Sequence, residues 1–330
     1  MIQKTAINPL FWTWKGEVVI SFGDKVWSRN DGPKDITRPL PLVNEEADNR
    51  IVAHINDLLT EGCPEEFDLI VRTCDSNVVI ILISFYWKFA SNHQNLKLWV
   101  ELGTGKNKKT IACHLIASKL GEDVSGALMC FHTFTGADST CAFYTKSKAH
   151  WFKMWMSNEK KEEITHAFKV LSWTRNKHDV NTVLPVIEQF VCSSYGFPLL
   201  SSVNEVRFRI YCTSTTKNLR HLPPSRAALE MHVLRSTFQS GCIWGNTLSQ
   251  EDPPDVTNWG WTVAESGTLS FKWTDINPDN NTMTLNQLVK TCKCSKANTK
   301  CTTCNCGKLK FKCLKFCSCR RSCVNIDIWV

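Results

Sequence analysis

The sequence has no hydrophobic run long enough to span a bilayer. Its longest, Val78 to Trp87, is broken by Ser84 and is about half of what a membrane helix needs. Nothing near the N-terminus combines a basic head, an apolar segment and a small-residue cleavage site. The expectation is a soluble intracellular chain with no membrane partner. Charged residues are few at 21%, against 43% apolar residues and 13 Trp, which excludes global disorder. A third scarcity is local: from Lys290 to Cys323 there is no carboxylate at all. At about 100–200 residues per domain, 330 residues suggest two domains, or fewer with an appendage.

That carboxylate-free stretch holds ten of the 39 Lys and Arg. Without it the chain carries 29 basic residues against 31 acidic ones, so the net +8 is made entirely by the tail. A near-neutral body with a basic terminal module points to a polyanion as partner. The 17 cysteines are distributed just as unevenly. Eight are scattered: Cys63, Cys74, Cys113, Cys130, Cys141, Cys192, Cys212 and Cys242. Without a secretory signal these read as buried apolar residues.

The other nine are Cys292, Cys294, Cys301, Cys304, Cys306, Cys313, Cys317, Cys319 and Cys323. Three C-x-C pairs recur at spacings of twelve and thirteen residues, which is an internal repeat. Nine thiols cannot all pair as disulfides, and a reducing compartment keeps them free. Zinc takes four sulfurs in a tetrahedron, so three Zn²⁺ are satisfied by nine cysteines if three sulfurs each bridge two ions. A module this short has little core, and the metal would supply its folding energy. A secreted disulfide knot, or a disordered basic tail with incidental cysteines, are the alternatives.

Lys290-Thr-Cys-Lys-Cys294, Cys301-x-x-Cys304-Asn-Cys-Gly-Lys308 and Cys317-Ser-Cys319 with Cys323 resemble a tesmin-like CXC domain over about 35 residues. The resemblance implies a three-zinc, nine-cysteine cluster that contacts DNA. Members of that family often carry two such repeats, whereas this chain has one. Thr302-Thr303 stand where the family commonly places a DNA-contacting aromatic residue, so the expected contacts are phosphate contacts from Lys293, Lys308, Lys310, Lys312, Arg320 and Arg321.

Ahead of the tail, 40–140 reads as α/β. Glu46 to Leu59 fits a helix with Ile51, Ile55 and Leu58/Leu59 inward. Phe67–Val71 and Val78–Ile83 are continuous β-branched runs that predict buried strands, and Leu96–Val100 predicts a third. Helices are expected near 111–120 and 124–133, and alternation of strands with helices argues for a parallel sheet. Helical periodicity also fits 160–172, 181–193, 202–212 and 224–242. Pro253-Pro254, Trp259-Gly-Trp261 and Asn277-Pro278 mark 251–284 as an irregular Trp-rich linker packed on the body.

Carboxylates fall at suggestive places on this scaffold. Glu46 and Asp48 open the first helix, Asp75 follows the first strand run, and Asp138 follows a helix. Acidic groups at one edge of a sheet are how nucleases hold Mg²⁺ for phosphodiester hydrolysis; solvated caps and turns are the plainer reading. Glu45-Glu-Ala-Asp48, Cys74-Asp-Ser-Asn-Val-Val79 and Phe131-His-Thr-Phe-Thr-Gly-Ala-Asp-Ser139 resemble the acidic motifs of PIN-like, flap-endonuclease-type domains. They are more closely similar to mobile-element-associated animal proteins that join such a domain to a terminal CXC module. The similarity runs on through Leu222-Pro-Pro-Ser-Arg-Ala-Ala-Leu-Glu230 and Trp259-Gly-Trp261. Against those proteins, Asn77 replaces the second aspartate of D-x-D, Ala137 replaces a cysteine, and the first acidic strand has no obvious equivalent among the 44 residues before Glu45. The chain looks like the C-terminal half of a longer nuclease-like protein.

Two apparent motifs are set aside. Gly103-Thr-Gly-Lys-Asn107 has Val100 where a phosphate-binding loop needs its first glycine and Asn107 where it needs Ser or Thr, so it reads as a lysine-rich turn. His132 reads as a partly buried helix residue rather than a general base.

The fold expected is therefore α/β: a partial PIN/flap-endonuclease-like parallel sheet over 1–200 with a helical extension over 201–250, then the linker and a small zinc-cluster domain over 285–325. The function expected is zinc-dependent DNA binding, in the nucleus, by a protein of mobile-element origin whose nuclease-like body is degenerate. Two alternatives stay open. One is a Mg²⁺-dependent structure-specific nuclease using Glu46, Asp48, Asp75 and Asp138. The other is an interaction scaffold in which the cluster is a structural staple and Trp259 and Trp261 dock a protein partner.

Overall fold

A computed structural model describes residues 19–22, 25–28, 32–33, 47–60, 68–213, 218–249 and 251–274. The chain is mixed α/β and its described residues belong to two units. One comprises those of Met1–Ile187 and His232–Ser270, the other those of Glu188–Met231 and Phe271–Val330. No helix among the described residues is long and apolar enough to cross a membrane.

The first unit opens with a small antiparallel meander, β1 (Val19–Phe22), β2 (Lys25–Ser28) and β3 (Gly32–Pro33). Helix α1 (Ala47–Thr60) follows, with Asp48 in its first turn and Val52, Ala53, Ile55 and Leu59 buried. Of the residues expected inward, Ile55 and Leu59 are so, whereas Ile51 is half-buried and Leu58 is exposed, because the buried stripe follows Val52, Ile55 and Leu59 at helical spacing. Strand β4 (Asp68–Thr73), helix α2 (Ser76–Ala90) and strand β5 (Lys97–Leu102) form a βαβ unit, with β4 and β5 parallel from Asp68↔Lys97 to Thr73↔Leu102. Strand β6 (Lys109–Ala112) returns antiparallel along β5, so the sheet is mixed rather than wholly parallel. The lysine-rich segment is the turn of that β5–β6 hairpin, and its Lys108 pairs with Glu101 at 2.7 Å.

The second expected strand, Val78–Ile83, is instead the first half of α2. A β-branched run buried on every side has no face to distinguish strand from helix. The decision falls to the ends and to length. Asp75 caps the helix by accepting the Asn77 N–H at 2.7 Å. The run from Val78 to Trp87, broken only by Ser84, is too long for one strand of this sheet, whose longest have six residues. Ile81, Leu82 and Phe85 are almost wholly buried, so the helix is apolar nearly all round because protein surrounds it.

Helices α3 (Cys113–Leu120) and α4 (Glu122–Phe134) lie close to their expected positions. Helix α5 (Lys148–Met156) is started by Ser147, whose side chain accepts the His150 N–H at 3.2 Å, and α6 (Lys161–Trp173) follows. Trp151 and Trp155, one turn apart, are fully buried against rings of α4 and α6: Phe131–Trp155 at 4.9 Å, Phe134–Trp151 at 5.8 Å and Trp155–Phe168 at 5.5 Å. The edge-to-face Phe134–Trp151 pair adds about 0.5–1.5 kcal/mol beyond area burial.

Helix α7 (Lys177–Ser194), α8 (Val203–Thr213) and α9 (Arg226–Thr237) match the expected periodicities. In the second unit the buried Glu188 carboxylate accepts the Val203 N–H at 3.0 Å and pairs with Arg226 at 2.5 Å. It thereby caps α8 from a distant part of the chain. The Arg226 N–H in turn reaches Asn204 Oδ1 at 3.0 Å, and Arg207 donates to the Pro223 carbonyl.

In the first unit α9 continues into a π-helical segment, Phe238–Trp244. A Cβ on Gly241 would lie 2.3 Å from the Thr174 carbonyl oxygen and 2.8 Å from that of Leu171, so only glycine lets this segment approach the end of α6. Trp259 is buried beside Phe238, ring centroids 6.2 Å apart, and a short hairpin, β7 (Trp261–Val263) with β8 (Leu269–Phe271), follows. The scattered cysteines divide. Cys113, Cys130, Cys192 and Cys242 are buried as expected, with thiols pushed up to about 12 by burial. Cys212 is half-buried, whereas Cys74 and Cys141 are exposed because both sit in loops. Cys63 lies outside the described residues.

Candidate acidic cleft

Strand β4 runs straight into the site. Thr73 Oγ1 accepts the Asp75 N–H at 3.0 Å, turning the chain so that Asp75 caps α2. Two residues later Asn77 projects from the first turn of that helix, 8% exposed. Its amide nitrogen donates to Asp138 Oδ2 at 3.1 Å and points at Asp75 Oδ2 at 3.5 Å. Its amide oxygen faces His132 Nε2 at 3.0 Å.

The two carboxylates, as acceptors, set the sense of that chain by facing the Asn77 NH₂, and the imidazole takes the tautomer that fits the remaining amide oxygen. Burial, then the Lys148 charge, pushes the His132 pKa down to about 4 against the opposing pull of Asp138, so the ring is neutral near pH 7. A neutral ring with its proton on Nε2 donates to Asn77 Oδ1, while the Asn77 NH₂ donates to the carboxylates.

Asp138 is held by an elaborately capped helix end. The last carbonyls of α4 all have donors. Phe131 O receives the Thr135 N–H at 3.0 Å, His132 O receives Lys148 Nζ at 2.6 Å, Thr133 O receives Thr140 Oγ1 at 2.5 Å, and Phe134 O receives His232 Nε2 at 2.7 Å. Burial drives His232 down to about 4 and Lys148 to about 8. Gly136, at φ 112°, then turns the chain where a Cβ would meet Ala142 at 2.8 Å, and a one-bridge turn from Ala137 to Thr140 presents Asp138.

Asp48, Asp75 and Asp138 line one cleft of about 420 Å³, so three of the four expected acidic residues come together although they are spread over ninety positions of chain. The fourth, Glu46, lies outside the described residues, as do the nine cysteines from Cys292 to Cys323 and the basic residues Lys293, Lys308, Lys310, Lys312, Arg320 and Arg321. The π-helical segment supplies two further walls that sequence reasoning did not find: Gln239, whose Oε1 accepts from Ser139 Oγ at 3.0 Å, and the buried Trp244. Their only sequence signal is the small-residue run Ser240-Gly241-Cys242, which reads as ordinary helix.

Among the described residues no three His, Cys, Asp or Glu side chains converge closely enough to hold a metal ion. The donor set explains why. An amide NH₂ offers protons, not a lone pair, and here it points at both carboxylates where a cation would otherwise neutralise them. As arranged, these residues do not fit a Mg²⁺ site. Compared with models of known families, with curated proteins and with solved structures, the chain matches none.

Proposed function

We propose that this is a zinc-dependent DNA-binding protein whose body is a degenerate PIN/flap-endonuclease-like scaffold of mobile-element origin. The observation that carries the DNA-binding half is the tail: nine cysteines in a C-x-C repeat among ten basic residues and no carboxylate. The cysteines would hold three Zn²⁺, which supply folding energy to a segment with little core. The lysines and arginines would neutralise phosphates.

The degenerate body is supported by Asn77. Its parallel βαβ unit brings Asp75 to the carboxyl end of β4, where open α/β sheets place their sites, and Asp48 and Asp138 join it. An amide donor then stands between two of those carboxylates.

The test is duplex-DNA binding by the full, zinc-loaded chain over a salt series, repeated after chelation. Binding that falls steeply with salt and disappears on zinc removal is the expected result; no binding at low salt, or binding indifferent to chelation, ends the reading. The nuclease alternative is favoured by the shared cleft of three aspartates. Cleavage of branched or single-stranded DNA in Mg²⁺ or Mn²⁺ that is lost in Asp138→Ala would replace the degenerate reading with it.

A further inference from the structure

Strand β4 is one edge of the β4–β5–β6 sheet, and among the described residues no strand pairs with its outer side. The other edge, β6, has four residues and is led by Lys108 and Lys109, the kind of charge that keeps an edge from recruiting a partner. Strand β4 has six residues, with Ile70 54% exposed at its middle. Side chains alternate along a strand, so Asp68, Ile70 and Arg72 share the face opposite the buried Leu69.

This segment is its own charge complement. An antiparallel pairing with Ile70 on a two-fold axis sets Asp68 against Arg72 of a second copy, twice over, and Leu69 against Val71. Parallel in-register pairing would set like charge against like, which is unfavourable across a sheet. Both charged side chains are already tethered along the shared face: Arg72 Nε donates to Glu101 Oε2 at 2.6 Å, and Asp68 Oδ1 accepts from Trp99 Nε1 at 3.3 Å. We propose that β4 pairs antiparallel with β4 of a second copy, extending the sheet across a two-fold symmetric dimer. The inference is independent of the DNA-binding reading.

Edge pairing of this size buries little area and gives a weak, reversible contact. Sedimentation velocity of the full chain from about 5 to about 100 µM spans the affinity range of such contacts. The wild-type chain is expected to shift from monomer to dimer over that range. Asp68→Lys and Arg72→Glu each place like charges in opposition and weaken the dimer by at least about tenfold. Mixed in equal amounts, the two variants regain the dimer, because each reversed charge then meets its opposite. Circular dichroism checks that both variants fold. Should a reversal unfold the chain, the neutral Asp68→Asn and Arg72→Gln carry the same test with a loss of about threefold. A wild-type monomer at the top concentration, single variants that dimerise like wild type, or a mixture of folded variants that stays monomeric would each overturn the proposal.

Discussion

One side-chain amide decides what the acidic cleft can do. Asn77 satisfies Asp138 and faces Asp75, with His132 donating to the amide oxygen. Asn77→Asp should therefore do two things. Without added metal it places a third carboxylate beside two others and lowers the melting temperature. With Mn²⁺ or Mg²⁺ present it gains stability, by about 2.7 kcal/mol at a hundredfold excess over Kd, while the wild type gains none. Differential scanning fluorimetry over a cation series reads this directly; equal response of the two chains would show that Asn77 is not what keeps a cation out.

His232 makes a second residue-scale prediction. Buried and donating to Phe134 O, it stays neutral in the folded chain down to about pH 4, whereas an unfolded histidine titrates near 6.5. Between those values the unfolded state binds the extra proton. Stability is complete above the unfolded pKa and declines as pH falls, by about 2 kcal/mol at pH 5. His132, depressed to a similar value, adds a comparable loss over the same window, so urea melts at pH 7 and pH 5 should show a larger total loss in the wild type and one smaller by about 2 kcal/mol in His232→Gln. Among the described residues, Lys148 and Asp138 act on His132 and Arg235 acts on His232.

At the scale of elements, most helices were legible. Those at α1, α3, α4 and α6 to α9 carry their apolar residues at helical spacing and end near turn-forming residues, and these are properties of neighbouring positions. The α2 segment was not, because a wholly buried run shows no periodicity. Its cap was visible in Asp75-Ser76-Asn77, yet a cap and a turn between strands use the same residues. The π-helical segment was not legible either, since its geometry is imposed by the close approach of Gly241 to the end of α6.

Glu188 shows the same dependence on distant parts. It caps α8 and pairs with Arg226, fifteen and thirty-eight residues away. Removing it leaves a half-buried guanidinium and an uncapped helix, so Glu188→Ala should cost about 3 kcal/mol. Glu188→Gln, which keeps an acceptor for the Val203 N–H, should cost less. Chemical denaturation followed by circular dichroism compares them, and equal losses would show that the α8 cap contributes nothing.

For the whole molecule, charge is divided between a near-neutral body and a strongly basic tail. Replacing Lys308, Lys310 and Lys312 together with Ala should weaken binding to every duplex alike and reduce the slope of log K against log salt by about three. Fluorescence anisotropy with two unrelated sequences checks it; loss confined to one sequence would contradict phosphate contact. The buried Trp259 is unavailable as a docking residue, which narrows the scaffold alternative to the more accessible Trp261.

What the sequence determined by itself was local: helical periodicity, the cysteine spacing, the segregation of charge, and the run of small acidic motifs. Each depends only on residues a few positions apart, where the chain can hardly do otherwise. Only the tertiary structure decided that Asp48, Asp75 and Asp138 share one cleft, that Gln239 and Trp244 wall it, and that an amide stands between two of its carboxylates. The Asn77–Asp138 bond joins positions 61 residues apart. It exists because the capped end of α4 and the first turn of α2 are packed into place by a core that neither segment encodes alone.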